Sequence, residues 1–435
     1  MKKVLIITYY WPPSGGSGVQ RWVYFAKYLR DFGWEPIIYT MKNPNYQIID
    51  NDLEKTLPEN ITVLKESGFE PYKYYKFLTK QKNKKIPNSL SAKNNNGFLH
   101  QLSVWVRGNI FIPDARKFWI KPSVNYLTNY LKNNTINAIV STSPPQSTHI
   151  IALKLHRKFN IPWLADFRDP WTKIIYFNDL HLSNYARKKH YKLEKEVVTS
   201  ANVLTTVTAG WQKDFELLRE GKVDLITNGY DEEITFPKSS ENLSSSFNIG
   251  YFGVLTYDRN PENLWKAIEE MYNNDEAFAK QFKLTFVGSI DNNIQKELEK
   301  YSFYSKIIFQ GIIPHQDVIK EIVKCNILLV IGIPKDKRVL PAKTFEYFSS
   351  KKPILSIGEN QSDTSDFLTQ NQCGLNADFN DFATTLKHLK QLWEWHQKGE
   401  LFQQFNFSDE NISKYSRKNS TKKLSELLNN MIEEK

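Results

Sequence analysis

The 435-residue chain is 40% hydrophobic and 14% aromatic, with 11 Trp, 22 Tyr and 27 Phe, which excludes a disordered or fibrous protein and predicts two or three globular domains. Its net charge of +11 is uneven: residues 1–226 hold 33 Lys+Arg against 18 Asp+Glu and residues 227–435 hold 25 against 29, so the halves carry +15 and −4. No nucleic-acid recognition module is legible in the basic half, and two cysteines, Cys325 and Cys373, are too few for a disulfide framework or a zinc cluster.

Met1-Lys2-Lys3 precede too short an apolar run for a secretory signal, and no stretch reaches the roughly 18 apolar residues of a spanning helix. A cytoplasmic protein is expected, at most peripheral on the inner face of the cell membrane. Residues 4–8 read as a buried strand; Val19, Trp22, Val23, Ala26 and Leu29 recur at helical spacing; Gly33 closes that helix and residues 36–39 form a second strand. This β-α-β unit predicts a parallel, doubly wound α/β sheet.

The turn inside the unit, "YYWPPSGGSGVQRW" (residues 9–22), contains Gly15, Gly16 and Gly18. A dinucleotide cradle requires G-x-G-x-x-G and an acid at the end of the second strand. Arg21 stands at the third glycine, and the second strand ends in Tyr39-Thr40-Met41-Lys42, so the cradle is excluded. No Gly-Lys-Ser/Thr follows, which excludes a Walker loop. Two readings remain: a permissive backbone where a ligand anion meets the amides of Gly15 and Gly16, or a turn that only reverses the chain.

Residues 73–97 hold seven lysines and little apolar periodicity, as expected of a mobile basic loop or lid. Residues 104–122, "VWVRGNIFIPDARKFWIKP", interleave Trp105, Phe111, Ile112, Phe118 and Trp119 with Arg107, Arg116, Lys117 and Lys121. Such a stretch either docks on lipid headgroups or packs into a core with solvated basic ends. Further strands are predicted at 138–141, 162–165 and 203–207. In "LADFRDPW" (164–171), Arg168 lies between Asp166 and Asp169 and is either a ligand contact or a member of a structural network with both aspartates. "ITNGYDEEIT" (226–235) reads as a linker.

A second alternating series follows, with strands at 249–252, 284–287, 307–309, 327–330 and 353–356 and helices around 261–272, 292–301, 316–325 and 341–350. Two doubly wound domains in tandem place their carboxyl-edge ligand crevices around a shared cleft. In "GYFGVLTYDRNPENL", Arg259 is placed where a guanidinium clamps phosphate, or is a solvated residue at a plain helix start. In "RVLPAKTFEYFSSKKPIL" (338–355), Pro341 is expected at the first helical position, Lys343 adds a cation, and Glu346 offers a carboxylate to ribose hydroxyls; the alternative is a surface pair of Lys343 with Glu346. His315 reads as a capping or surface residue. Helices are also expected at 386–395 and 424–432.

The ordered set "YYWPPSGGSGVQRW", "NGYD", "GYFGVLTYDRNPENL", "FVGS", "FQGIIPHQDV" and "KTFEYFSSKKPIL" resembles glycosyltransferase family 4, of GT-B fold, over nearly the whole chain and most weakly across 73–97. The resemblance implies two Rossmann-like domains facing each other across a cleft: an acceptor-side domain at 1–226, a nucleotide-sugar-binding domain at 227–405, and a segment at 406–435 whose helix crosses back to the first domain. It implies retaining transfer of a sugar from a nucleotide-sugar donor without a required metal or other cofactor. Arg259 and Lys343 would neutralise the leaving diphosphate, Glu346 would bind ribose, and Gly15 and Gly16 would close over the phosphates. Two positions depart from the family: Arg338 stands eight residues before Glu346 where a glutamate is frequent, and Arg168 lies where a histidine is common. The basic half implies an anionic acceptor, a glycan or a polyprenyl-diphosphate-linked glycan of cell-surface polysaccharide biosynthesis, or presentation at an anionic membrane. The alternative is a non-catalytic sugar-nucleotide or glycan-binding subunit of an assembly complex.

Overall fold

The computed structural model describes residues 1–46, 48–70, 98–237 and 243–433; the expected mobile basic segment at 73–97 lies outside them. The chain forms two compact units, Met1–Asn228 with Arg417–Lys435, and Gly229–Ser416. The division after Asn228 falls inside "ITNGYDEEIT". Residues 406–416 belong with the second unit, not with the terminal helix as expected, because Phe407, Ile412 and Tyr415 pack in its core.

In the first unit the strands are β1 (Lys2–Ile7), β2 (Trp34–Lys42), β3 (Thr62–Ser67), β4 (Ala138–Ser143), β5 (Trp163–Phe167), β6 (Val203–Thr206) and β7 (Asp224–Leu225). They form one parallel sheet in the order β3-β2-β1-β4-β5-β6-β7. Val4–Ile7 carry only apolar side chains, as a strand covered on both faces requires, and pair with Pro36–Tyr39 on one side and Ala138–Ser141 on the other. The helices are α1 (Ser17–Tyr28), α2 (Phe98–Asn109), α3 (Lys117–Asn133), α4 (Ser147–Phe159), α5 (Asn184–Ser200) and α6 (Ala209–Arg219). Gly33 takes the left-handed conformation that ends the first crossover, with φ 80°. The strand order reverses between β1 and β4, so both the glycine turn and the Ser143-Pro144-Pro145 turn lie at the switch point of this sheet.

The second unit contains β8 (Phe247–Phe252), α7 (Glu262–Asn274), α8 (Glu276–Gln281), β9 (Phe282–Val287), α9 (Asn292–Leu298), β10 (Ile307–Phe309), α10 (His315–Ile322), β11 (Ile327–Ile331), α11 (Lys343–Ser349), β12 (Ile354–Ile357), α12 (Asp363–Asn371), β13 (Gly374–Ala377), α13 (Phe382–Gln397) and α14 (Asp409–Ser413). Its parallel sheet runs β10-β9-β8-β11-β12-β13, with the switch point between β8 and β11. Helix α15 (Arg417–Glu433) then packs on α1 in the first unit, burying Leu424, Leu428 and Met431 in that core. Among the described residues no helix is long and apolar enough to cross a membrane.

Candidate functional site

In the second unit the chemistry gathers at the carboxyl end of β8, beside the switch point. Gly253 follows the strand with φ +144°, and a Cβ there would stand 3.4 Å from the Lys343 ammonium. Gly288, at φ +127°, lets the next strand end close on this turn: a Cβ at Gly288 would collide with the Gly253 carbonyl. Tyr347 fixes α11 against the strand, its buried hydroxyl accepting a 3.1 Å bond from the Phe252 amide.

Lys343 opens α11. Its Nζ donates to the Phe252 carbonyl at 3.1 Å and lies 3.8 Å from the centroid of the Tyr251 ring. Burial, reinforced by the neighbouring Arg259 charge, pushes its pKa down to about 7. Arg259 ends a short 3-10 turn, Tyr257–Arg259, and its Nε is buried with no hydrogen-bond partner among the described residues. Neither cation is paired with a carboxylate among those residues. Two neighbouring basic groups without a carboxylate partner repel one another, and an anion between them would relieve that repulsion.

One turn along α11 lies Glu346, whose carboxylate accepts a 2.7 Å bond from His315 Nε2. This replaces the expected alternative of a Lys343–Glu346 surface pair, because each residue has its own partner on a different element. His315 is exposed at the surface, as expected, and this bond places it beside Glu346. The placement of Pro341 at the first helical position is also corrected: Ala342 is the N-cap, Lys343 is the first helical residue, and the Pro341 carbonyl accepts from the Thr344 amide. Arg338 is exposed on the preceding turn.

In the first unit the glycine turn is stitched to residues 48–50. The Gly15 amide donates to the Ile48 carbonyl at 2.9 Å, and a Cβ on Gly15 would stand 2.9 Å from Ile48 Cγ2. The Gly15 amide expected to meet a ligand anion is therefore spent inside the fold. Gly16 has φ 98° and ψ 164°, a region open essentially only to glycine, and its carbonyl starts α1 by accepting from Val19.

Arg21, the residue that breaks the dinucleotide pattern, is buried and reaches Asp166 through Nη2 at 3.0 Å and Nε at 3.3 Å. Asp166 also accepts from Trp22, Thr142 and Thr205. Of the expected alternative, a structural network of Arg168 with Asp166 and Asp169, the charges of both aspartates do act on the buried guanidinium, but its hydrogen bonds go to the carbonyls of Ser143 and Pro144, at 3.1 and 2.9 Å, and it lies directly over Gly18. A side chain at Gly18 would occupy the position of Nη1, which explains that glycine.

Sequence reasoning missed His149. It is fully buried, bonded to Ser141 Oγ at 2.7 Å, packed on Phe167, and driven by desolvation to a pKa of about 3. The 104–122 stretch divides: Ile112 and Trp119 are core, whereas Trp105 and Phe118 are exposed. Among the described residues no group of three His, Cys, Asp or Glu is placed to hold a metal ion.

No protein-family model and no curated protein matches this sequence. Solved structures do. Sucrose-phosphate synthase from Thermosynechococcus elongatus is similar with a TM-score of 0.63 at 12% identity, over 100% of both chains. TarM of S. aureus, solved as a mutant with Fondaparinux, alpha-GlcNAc-glycerol and UDP, is similar with a TM-score of 0.60 at 12% identity, over 99% of this chain and 100% of that one. A putative UDP-N-acetylglucosamine 2-epimerase from Listeria monocytogenes is similar with a TM-score of 0.55 at 10% identity, over 100% and 98%. At these identities the likeness is one of architecture, and the architecture of this chain is the two-domain α/β GT-B fold.

Proposed function

We propose that this protein is a glycosyltransferase that binds a nucleotide-sugar donor through its second unit and passes the sugar to a glycan acceptor. The observation that carries this reading is the uncompensated Lys343–Arg259 pair with the His315-bound carboxylate of Glu346 one helical turn away. A nucleoside diphosphate needs cations for its phosphates and an acceptor for its ribose hydroxyls, and this arrangement offers both. In transfer, negative charge grows on the departing diphosphate; Lys343 and Arg259 would stabilise it, supplying the electrostatic part of the rate enhancement. The TarM complex, which contains UDP and a glycosylated glycerol, supports the substrate class. The family resemblance supports a retaining course without a required metal, and a glycan or polyprenyl-diphosphate-linked acceptor in cell-surface polysaccharide biosynthesis.

The test is turnover on a panel of sugar nucleotides with glycan and lipid-extract acceptors, following nucleotide release and the configuration of the sugar. Glu346→Ala is expected to weaken donor binding, and nucleotide release coupled to acceptor glycosylation is expected from the wild type. Donor binding without turnover anywhere in the panel would instead identify a non-catalytic binding subunit, a reading favoured by Arg338 and Arg168 at the two positions that depart from the family. Free epimerised sugar without transfer would overturn both.

A further inference from the structure

A second surface, independent of the donor residues, is built where three helices of the first unit meet. The end of α2 is tied to the start of α5: Asn109 donates to the His181 carbonyl at 3.1 Å and accepts from the Ser183 amide at 2.7 Å, and His190 bonds the Gly108 carbonyl. The start of α3 joins them through Lys117, whose Nζ donates to the Ile110 carbonyl at 2.6 Å. Large apolar and aromatic side chains stand out of this surface: Trp105 is 43% exposed, Ile110 48%, Phe118 41% and Tyr185 72%.

Cations surround them. Lys117 lies 5.1 Å from the Phe118 ring centroid, and Lys189 lies 5.8 Å from that of Tyr185. Tyr185, Lys188, Lys189 and Lys192 fall on one face of α5 by their spacing, and the three lysines are exposed. Partial burial, and after it the charge of nearby Lys189, hold the Lys117 pKa below the ordinary lysine value. Carboxylates do not balance this charge: Glu194 is buried and bonded to Thr172, Glu196 is paired with Arg157, and Asp114 is bonded to Ser147, which leaves Asp179 as the exposed acid on these elements.

We propose that this face of the first unit docks on an anionic lipid bilayer. Lysines crowded together need anions in front of them, and exposed Trp, Phe and Ile among the same lysines need a place out of water; the headgroup layer of an anionic membrane offers both at one depth. A soluble polyanion would meet the charge and leave the apolar side chains wet. A lysine whose ammonium is held beside an aromatic ring, as that of Lys117 is beside Phe118, suits a boundary where apolar groups are buried and ammonium groups meet phosphate.

The experiment is cosedimentation of the full chain with vesicles of phosphatidylcholine alone and of phosphatidylcholine with phosphatidylglycerol, at physiological salt, beside binding to soluble polyphosphate. The wild type is expected to pellet with the anionic vesicles only. The double variant Lys117→Glu, Lys189→Glu should reduce that partitioning by about tenfold or more. Phe118→Ala with Ile110→Ala should weaken vesicle binding while leaving polyphosphate binding unchanged. These positions are at the surface, so unaltered melting of each variant separates loss of docking from loss of fold. Equal recovery with both vesicle types, a wild type that stays in solution, or apolar variants that pellet like the wild type would overturn the proposal. None of these outcomes depends on the enzymatic reading, which the turnover panel tests alone.

Discussion

At Lys343 two costs fall on one ammonium, burial and the repulsion of Arg259, and they lower its pKa from the ordinary 10.5 to about 7. Between those values the unfolded chain binds more protons than the folded one, so the stability of the ligand-free protein should rise as pH increases from about 7 to about 10. A bound diphosphate reverses the balance by favouring the charged lysine. Nucleotide binding near pH 8 should therefore take up a proton, and affinity should fall as pH rises above about 7. Calorimetry in two buffers of different ionisation enthalpy measures the uptake; Lys343→Met should abolish it and flatten both pH slopes. His315 gives a second prediction at this scale. It holds one Glu346 oxygen at 2.7 Å, so His315→Ala should weaken nucleoside diphosphate binding by about three- to tenfold, the net worth of one hydrogen bond at a partly exposed position, with His315→Gln recovering part of the loss. A titration that shows equal affinity for His315→Ala and the wild type would remove His315 from the site. Lys343 and Glu346 were legible because they share one helix and a fixed spacing. His315 was not, because its partner lies 31 residues away on another element and no local pattern announces such a contact. Arg21 was legible only as a missing glycine; its buried bond to Asp166, with side chains 3% and 1% exposed, depends on β5 being placed beside α1. Arg21→Ala strands that carboxylate and should cost about 3–5 kcal/mol in urea unfolding.

Among elements, the central strands could be read from apolar runs alone: Val4–Ile7, Ile249 and Tyr251, Leu284 and Phe286, and Ile327–Ile331 are buried. Strands β3, β7 and β13 could not. β3 is an edge strand with a half-exposed, polar sequence, TVLKES, β7 is two residues long, and β13 opens on a glycine; their strand character comes from pairing with neighbours rather than from a hydrophobic period. The glycine turn changed meaning at this scale. Its amides were expected to face a ligand, yet Gly15 is closed onto Ile48 and Gly18 makes room for Arg168. Gly16 remains the position where backbone conformation alone decides. Gly16→Val forces φ 98° and ψ 164° on a branched residue and should lower stability by about 1–3 kcal/mol. If the turn serves transfer in the first unit while the donor is held in the second, the same variant should lose turnover and keep its nucleotide affinity. Joint loss of both in a folded variant would refute that division.

At the scale of the whole molecule, the chain returns to the first unit after completing the second. Helix α15 contributes Leu424, Leu428 and Met431 to the core formed by Val4, Val23, Ala26 and Leu29, and Lys2 reaches Asn429 at 3.0 Å. Arg417 adds a contact with the Tyr24 ring, 4.0 Å to its centroid, and donates to Gln20. Residues 1–228 alone therefore lack one wall of their core, whereas Gly229–Ser416 contains both termini of its own unit. Removing 417–435 exposes the facing side of α1, and the three buried apolar side chains alone are worth about 5 kcal/mol, a large share of the stability of any domain. A chain ending at Ser416 should thus show the first unit melting at lower temperature or already unfolded, while the second keeps its transition and its nucleoside diphosphate binding. Scanning calorimetry with and without nucleotide distinguishes the two, because only the unit that binds the ligand is stabilised by it. Adding a peptide of residues 417–435 in trans should restore the first transition in a concentration-dependent way; failure of the peptide to bind a truncated chain that remains fully folded would show that the core closes without α15.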